Sequence, residues 1–290
     1  MLGIITCLRA RALAHNWDLH VWLLQRTLDS MLAQTNSDFQ IIVVCHEIPD
    51  VPQLDHPAVH FRTVDFPLPE RNFEDMCGDK VLKLTAGVDF AIAAGCNYVM
   101  FADGDDLINR HLSELVARNN GKSGWYCRIE HFYRYGGRWV RKYVLPGLEA
   151  GPCVVVASDL LRFATDSRYG GQRVNTLAAA GHTEYRTIMD GQGTPLAPLP
   201  FPGSVVIVHD DSTSNAPEVG DNCAQVLVVP KHSRLRVTLS QLKQNARGLA
   251  LMRPLTPTMR KDFTIPHTEH VHPLYRGSSQ KVWLPRVRFG

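Results

Sequence analysis

Three carboxylates stand within four residues, directly after a short apolar segment. Residues 98–102 have the composition of a buried strand, and Asp103, Asp105 and Asp106 follow it. Ligands of open α/β sheets bind in the crevice at the carboxyl ends of the strands. Carboxylate oxygens are also the ligands that hard divalent cations prefer. The pattern therefore predicts a metal site, although a strand-to-helix turn capped by Asp would give a similar sequence.

The elements around these acids alternate between strands and helices. Apolar periodicity predicts strands at 2–7, 40–45, 59–64 and 98–102, and helices at 20–34, 80–95 and 107–119. Parallel strands joined by helices bring their carboxyl ends to one edge of a sheet. Extended pieces within 124–160, a helical piece at 177–189 and a strand at 205–208 indicate that a mixed sheet continues beyond the acids.

Composition and cysteine spacing narrow the class of protein. The chain has 290 residues, 44% hydrophobic and 20% charged, which predicts one large or two small globular domains. It contains no apolar run of membrane-spanning length, and residues 1–7 lack the features of a signal peptide, so we expect a cytoplasmic protein. The seven cysteines show no Cys-x-x-Cys spacing, which argues against a zinc site or a disulfide framework.

Glycine-rich nucleotide motifs are absent from this sequence. Gly121-Lys-Ser123 lacks the earlier glycine and the preceding strand of a P-loop, and Gly191-Gln-Gly193 lacks the third glycine of a dinucleotide fingerprint. A bound nucleotide would therefore be held through a metal ion and basic side chains.

Five segments together resemble family 2 glycosyltransferases of the GT-A fold. The resemblance covers about residues 1–215 and is strongest up to residue 109. It rests on Leu28-Asp-Ser-Met-Leu-Ala-Gln-Thr35, Phe39-Gln-Ile-Ile-Val-Val-Cys45, Tyr98-Val-Met-Phe-Ala-Asp-Gly-Asp-Asp106, Gly181-His-Thr-Glu-Tyr185 and Val208-His209.

The resemblance implies an α/β fold with a Rossmann-like mixed sheet flanked by helices. It implies a catalytic domain at 1–215, with a nucleotide-sugar half at 1–109 and an acceptor half at 110–215, followed by a basic, proline-containing extension at 216–290. The implied activity is transfer of a sugar from a UDP- or GDP-sugar to a hydroxyl of a glycan or another acceptor. Mn²⁺ or Mg²⁺ would assist, and the transfer would usually proceed with inversion.

Site residues follow from the same resemblance, position by position. The implied metal ligands are Asp103, Asp105 and His209. The implied donor-binding residues are Thr6, Arg9, Arg11, Glu47, Asp79, Lys80 and Asp103. An inverting transfer also needs a base that takes the proton of the acceptor hydroxyl. The family typically has Glu-Asp where this chain has His182-Thr-Glu184, so the base could be His182 or Glu184, the latter if burial raises its pKa.

The charge of the chain is unevenly distributed. Residues 231–290 hold twelve basic and two acidic residues, whereas residues 1–230 hold 19 basic and 26 acidic ones. Five prolines divide this tail into short pieces. We expect it to dock on its own body or on a second copy of the chain, or else to contact an anionic membrane at its inner face. No nucleic-acid partner is expected.

Two other functions remain open at this stage. The first is a non-catalytic protein of the GT-A fold that binds a sugar nucleotide or a partner, which the missing Glu-Asp pair suggests. The second is a phosphotransferase of the haloacid dehalogenase type. Its Asp-x-Asp loop is similar to residues 101–107, but usually opens the chain.

Overall fold

The computed structural model describes residues 1–119, 121–144, 153–209 and 251–266. Within these ranges it contains two larger sheets, a small hairpin and flanking helices. The strands are β1 (Leu2–Cys7), β2 (Phe39–Cys45), β3 (Val59–Thr63), β4 (Tyr98–Phe101), β5 (Leu107–Ile108), β6 (Gly124–Tyr126), β7 (Ile129–Tyr133), β8 (Trp139–Val144), β9 (Val154–Ala157), β10 (Phe163–Asp166), β11 (Gln172–Asn175), β12 (Ala197–Pro198), β13 (Ser204–Ile207) and β14 (Met252–Pro254). The helices are α1 (Trp17–Leu32), α2 (Phe73–Ala93), α3 (Leu112–Arg118), α4 (Thr176–Ala180), α5 (Tyr185–Gly191) and α6 (Pro257–Asp262).

The first sheet has seven strands in the order β12-β6-β9-β4-β1-β2-β3. Strands β4, β1, β2 and β3 run parallel, while β9 is antiparallel to both β4 and β6. Leu24, Leu28 and Met31 of α1 belong to the core on one face. Val81 and Val88 of α2 belong to the core on the other face. A central mixed sheet flanked by helices confirms the predicted fold class.

Asparagine caps fix where the two long helices begin. Asn16 accepts a hydrogen bond from the backbone N of Leu19 at 3.1 Å, and Asn72 accepts one from the backbone N of Asp75 at 2.9 Å. Helix α2 therefore begins seven residues before the predicted start at Lys80. Asp79, predicted to bind the donor, lies inside this helix.

The second sheet has five strands in the order β14-β8-β7-β13-β5. It corrects the helix predicted at 107–119, because Leu107 and Ile108 form β5 and pair with Val205 and Ser204 of β13. The helical piece predicted at 177–189 is likewise two helices, α4 and α5. They are separated at Gly181, whose φ of 79° is unfavourable for other residues.

Residues 251–266 of the predicted extension pack on the body. Strand β14 pairs with β8. Phe263 and Ile265 are buried in a third core that also contains Leu19 and Leu23 of α1. Residues 216–250 and 267–290 lie outside the described ranges, so the remainder of the predicted extension stays a prediction. Among the described helices, none has the length and hydropathy needed to cross a membrane.

Candidate active site

The acid loop, residues 103–106, emerges at the carboxyl edge of the first sheet. All four residues of β4 are buried, and the strand is held in parallel register beside β1. The loop passes so close to β1 that a Cβ placed on Gly104 would lie 2.8 Å from the carbonyl oxygen of Cys7. On the other side, the Thr27 hydroxyl of α1 donates to the carbonyl of Gly104 at 3.1 Å. The loop is thus fixed between a strand and a helix.

Asp105 of this loop meets His209, which lies just beyond the end of β13. The His209 Nε2 atom is 2.7 Å from Asp105 Oδ2, and the His209 side chain is fully buried. The His20 ring lies edge-on to His209 with centroids 6.1 Å apart. Burial raises the pKa of Asp105, but the hydrogen bond and charge of His209 outweigh it, so the net pKa lies below its ordinary value.

Asp106, the next residue, occupies a different environment. Its side chain is buried. Burial and the neighbouring Asp105 and Asp103 carboxylates raise its pKa well above the ordinary value. The surroundings of the adjacent carboxyl groups Asp105 and Asp106 therefore shift their pKa values in opposite directions.

Lys80 of α2 forms an ion pair with Asp103. Burial lowers the pKa of Lys80, but the Asp103 carboxylate outweighs that effect and raises the net pKa above its ordinary value. Lys80 therefore stays charged. Both side chains are partly exposed, so this pair contributes little to stability and remains accessible to a ligand.

The donor set of the site fits an open metal site rather than a closed one. Within the described ranges, no group of three or more His, Cys, Asp or Glu side chains is arranged to hold a metal ion. The Asp105–His209 pair supplies one carboxylate oxygen and one imidazole nitrogen. Mg²⁺ is commonly bound by one or two carboxylates together with substrate phosphates and water. A two-residue donor set beside Lys80 is compatible with that arrangement.

The donor-binding residues predicted near the ends of β1 and β2 differ in how far they are exposed and in what they contact. Thr6 is fully buried, and its hydroxyl has no hydrogen-bond partner among the described atoms. Arg9 is half-buried and Arg11 is exposed. Glu47 accepts a hydrogen bond from the backbone N of Arg11. This contact ties the two loops together and occupies one oxygen of the carboxylate that we expected to bind the donor.

The two candidate bases lie between α4 and α5. His182 is exposed to solvent, yet Asp103 and Lys80 are both near enough to affect its titration. Although the residue as a whole is exposed, partial desolvation of its ring lowers the pKa of His182 and outweighs the raising effect of Asp103. Glu184 is exposed. Glu184 was a candidate for the base only if burial raised its pKa, so its exposure argues against that role.

Two residues beside the site were not anticipated from the sequence. Lys83, one turn after Asp79, is fully buried and donates to Asp79 Oδ2 at 2.7 Å. Tyr185, the first residue of α5, is buried in the core, and burial raises the pKa of its phenol. A signal for Lys83 existed, because it shares a helical face with Gly87, and Gly87 packs against Ile5 of β1.

Similarity to known proteins is found among solved structures. No protein-family model and no curated protein sequence matches the chain. Among solved structures, one of S. aureus TarS is similar with 12% identity and a TM-score of 0.43, covering 72% of this chain and 37% of that one. Another, of S. aureus TarS 1–349, has 11% identity and a TM-score of 0.41, covering 71% and 60%. The chain thus spans less than two thirds of either match.

Proposed function

We propose that this protein is a glycosyltransferase that moves a sugar from a nucleotide-diphosphate donor to an acceptor hydroxyl. The observation that carries the proposal is the convergence of Asp103 and Asp105, Lys80 and His209 at one edge of the sheet. These residues come from three separate elements, and the resemblance of the motifs to GT-A glycosyltransferases supports the same activity.

The chemistry needs cationic groups beside the leaving diphosphate. Negative charge grows on the phosphate oxygens as the bond to the anomeric carbon breaks. The charged Lys80 ammonium lies beside Asp103 and can donate to those oxygens. Asp105 and His209 would hold Mn²⁺ or Mg²⁺, which supplies Lewis-acid stabilisation of the leaving group when bound.

His182 is the proposed base. Its pKa is lowered, so the imidazole is neutral near pH 7 and can accept the proton of the acceptor hydroxyl. The deprotonated hydroxyl oxygen attacks the anomeric carbon while the nucleoside diphosphate leaves. A single displacement of this kind inverts the anomeric configuration.

Asp105→Asn tests the metal-binding part of the proposal. Calorimetry of UDP and GDP with Mn²⁺ should show binding to the wild type and a loss of at least tenfold in the variant, because one anionic ligand of a hard cation is removed. Asp89→Asn is the matched control, since Asp89 is exposed and pairs only on the surface with Arg173. Equal binding by wild type and Asp105→Asn would disprove the metal site.

Hydrolysis of labelled sugar nucleotides tests the base. The wild-type rate should rise with pH through an apparent pKa below about 6.5, the ordinary value for histidine. His182→Ala should lose turnover while keeping donor affinity, and Glu184→Gln should remain active. The reverse result would transfer the role to Glu184, and two active variants would exclude both residues.

Two observations favour a second candidate, a protein that binds sugar nucleotides without catalysis. Asp103 is already neutralised by Lys80, and the described residues include no three-residue metal group. Metal-dependent turnover of a labelled donor separates the two candidates, because a binding protein would retain the donor unchanged.

A further inference from the structure

A buried lysine of α2, Lys83, connects this helix to the chain that leaves β1. Its side chain is 1% exposed, and its Nζ atom donates to the carbonyl of Leu8 at 3.0 Å and to Asp79 Oδ2 at 2.7 Å. Leu8 is the first residue after β1, and its backbone N donates to the carbonyl of Val44 of β2 at 2.9 Å. Lys83 therefore contacts the chain at the point where it leaves the sheet.

Keeping Lys83 in this position is costly. Desolvation of a buried ion pair offsets most of its attraction, and well-packed apolar side chains are often as stable. Elsewhere along α2 the residues that belong to the core are apolar, among them Val81, Leu84 and Val88. What the lysine adds over an apolar residue is a hydrogen bond that fixes the carbonyl of Leu8.

The β1 loop, residues 8–12, contains the two arginines that are predicted to bind the donor. Arg9 follows directly after the fixed carbonyl and is half-buried, whereas Arg11 is exposed. The contact of the Arg11 backbone with Glu47 is exposed to solvent. Lys83 therefore provides a buried anchor for the loop, one residue before Arg9.

Lys80, one turn earlier in α2, makes a similar contact with the acid loop, because it pairs with Asp103. Residues three apart lie on the same side of a helix. Burial raises the pKa of the Cys7 thiol to about 11 and both lysines oppose that shift, so both ammonium groups lie near the end of β1. One side of α2 thus holds the acid loop through Lys80 and the β1 loop through Lys83.

We propose that Lys83 is a positioning residue of the donor site. By fixing the Leu8 carbonyl relative to α2, it holds the Arg9 side chain at the distance from Lys80 at which both can contact one diphosphate. This inference rests on the proposed function and adds a residue that acts without touching the donor. Hydrogen bonds from cationic side chains to phosphate are strong only when their geometry is maintained.

A double-mutant cycle between Lys83 and Arg9 tests the proposal. Calorimetry with Mn²⁺ measures how tightly Lys83→Met, Arg9→Ala and the double variant bind GDP or UDP, whichever the wild type binds more tightly. Each single variant should bind at least about fivefold more weakly, because a charge-assisted hydrogen bond is lost or misplaced. The double variant should bind within about twofold of the weaker single variant, because Lys83 acts through Arg9.

Two other patterns would overturn the proposal. Losses that multiply in the double variant would show that Lys83 acts independently of Arg9. Unchanged binding by either single variant would show that the β1 loop does not contact the donor through Arg9, or that Lys83 does not position it.

Val88→Ala is the matched control for a loss of stability. Val88 is fully buried and lies five residues after Lys83 in the same helix. Thermal unfolding measures the destabilisation in both variants, and folded Val88→Ala should keep the wild-type affinity. An equal loss of affinity in Val88→Ala would reduce the effect to general destabilisation and overturn the proposal. If Lys83→Met does not fold, Lys83→Gln, whose shorter, uncharged side chain weakens both hydrogen bonds, replaces it in the cycle with the same expected pattern.

The outcomes also separate this inference from the proposed function. Nucleotide binding and donor turnover that Lys83→Met leaves unchanged would refute only the role of Lys83. Failure of the wild type to bind either nucleotide would refute both proposals.

Discussion

Asp106 and Ile207 are joined by a hydrogen bond that connects the acid loop to β13. Asp106 Oδ1 accepts from the backbone N of Ile207 at 3.1 Å. Asp106 adjoins Asp105, and Ile207 stands two residues before His209. The bond therefore fixes the register in which the Asp105 carboxylate and the His209 imidazole meet.

Replacing Asp106 should separate its hydrogen-bonding role from its charge. Asp106→Ala leaves the buried Ile207 N–H without a partner, and should lower the free energy of unfolding by about 1–3 kcal/mol. Asp106→Asn keeps an acceptor and resembles the protonated carboxyl that the raised pKa favours, so it should cost less than half as much. Urea unfolding measures both, and equal losses would show that the hydrogen bond is unimportant.

Gly104→Ala should disturb the acid loop through contact with β1. The added Cβ would lie 2.8 Å from the carbonyl oxygen of Cys7, so strand or loop must shift. We expect a loss of about 1–3 kcal/mol in unfolding free energy, together with weaker Mn²⁺-dependent binding of GDP or UDP. Gly191→Ala is the control, because a Cβ there meets nothing within 4 Å. Unchanged nucleotide binding by Gly104→Ala would contradict the close approach.

His131 of β7 should make the protein less stable in acid. It is 6% exposed, and burial, followed by the charge of Lys142, lowers its pKa from 6.5 to about 4. Between those values the unfolded chain binds a proton that the folded chain does not. The contribution of His131 to the free energy of unfolding is therefore complete above about pH 6.5 and is lost as the pH falls toward 4. At roughly 1.4 kcal/mol per pKa unit, the loss is about 3 kcal/mol at most.

The variant His131→Gln checks this assignment. The difference in unfolding free energy between pH 7 and pH 4.5 should be smaller than in the wild type, because glutamine does not titrate. His56→Gln, at an exposed histidine, should behave as the wild type does. The same pH dependence in His131→Gln would place the acid sensitivity elsewhere.

Phe263→Ala should destabilise the body, because residues 251–266 share its core. Phe263 is 2% exposed and belongs to the core formed with α1 and the second sheet. Removing a buried aromatic ring costs about 3–5 kcal/mol. Lys261→Ala, two residues earlier and exposed, should change the unfolding free energy by less than about 0.5 kcal/mol. Similar losses for both variants would argue against docking of this segment.

The acid loop could be predicted from the sequence because the strand and the acids that define it are adjacent in the chain. A buried strand followed by acids needs no distant partner to be recognised. The resemblance named His209 as a metal ligand, but only the fold shows that its ring lies 2.7 Å from a residue 104 positions earlier. Its role as a ligand stays a prediction.

Predictions were wrong or missing where distant partners decide the structure. Apolar residues 108, 112, 115 and 116 have helical spacing, yet Leu107 and Ile108 form a strand because β13 supplies its backbone partners. Lysine is usually found at the surface, but Lys83 is buried and donates a hydrogen bond to the carbonyl of Leu8, 75 positions away. Neither partner can be identified from periodicity, which describes only local repetition.

The acid loop joins the two large sheets. It continues β4 of the first sheet and leads into β5 of the second, while His209 leaves the second sheet through β13. Sliding of one sheet against the other by an ångström would change the 2.7 Å separation of Asp105 and His209 by a comparable amount. The backbone amides of β4, β5 and β13 should therefore exchange with deuterium as one cooperative unit, and a bound nucleotide and metal ion should slow all three together.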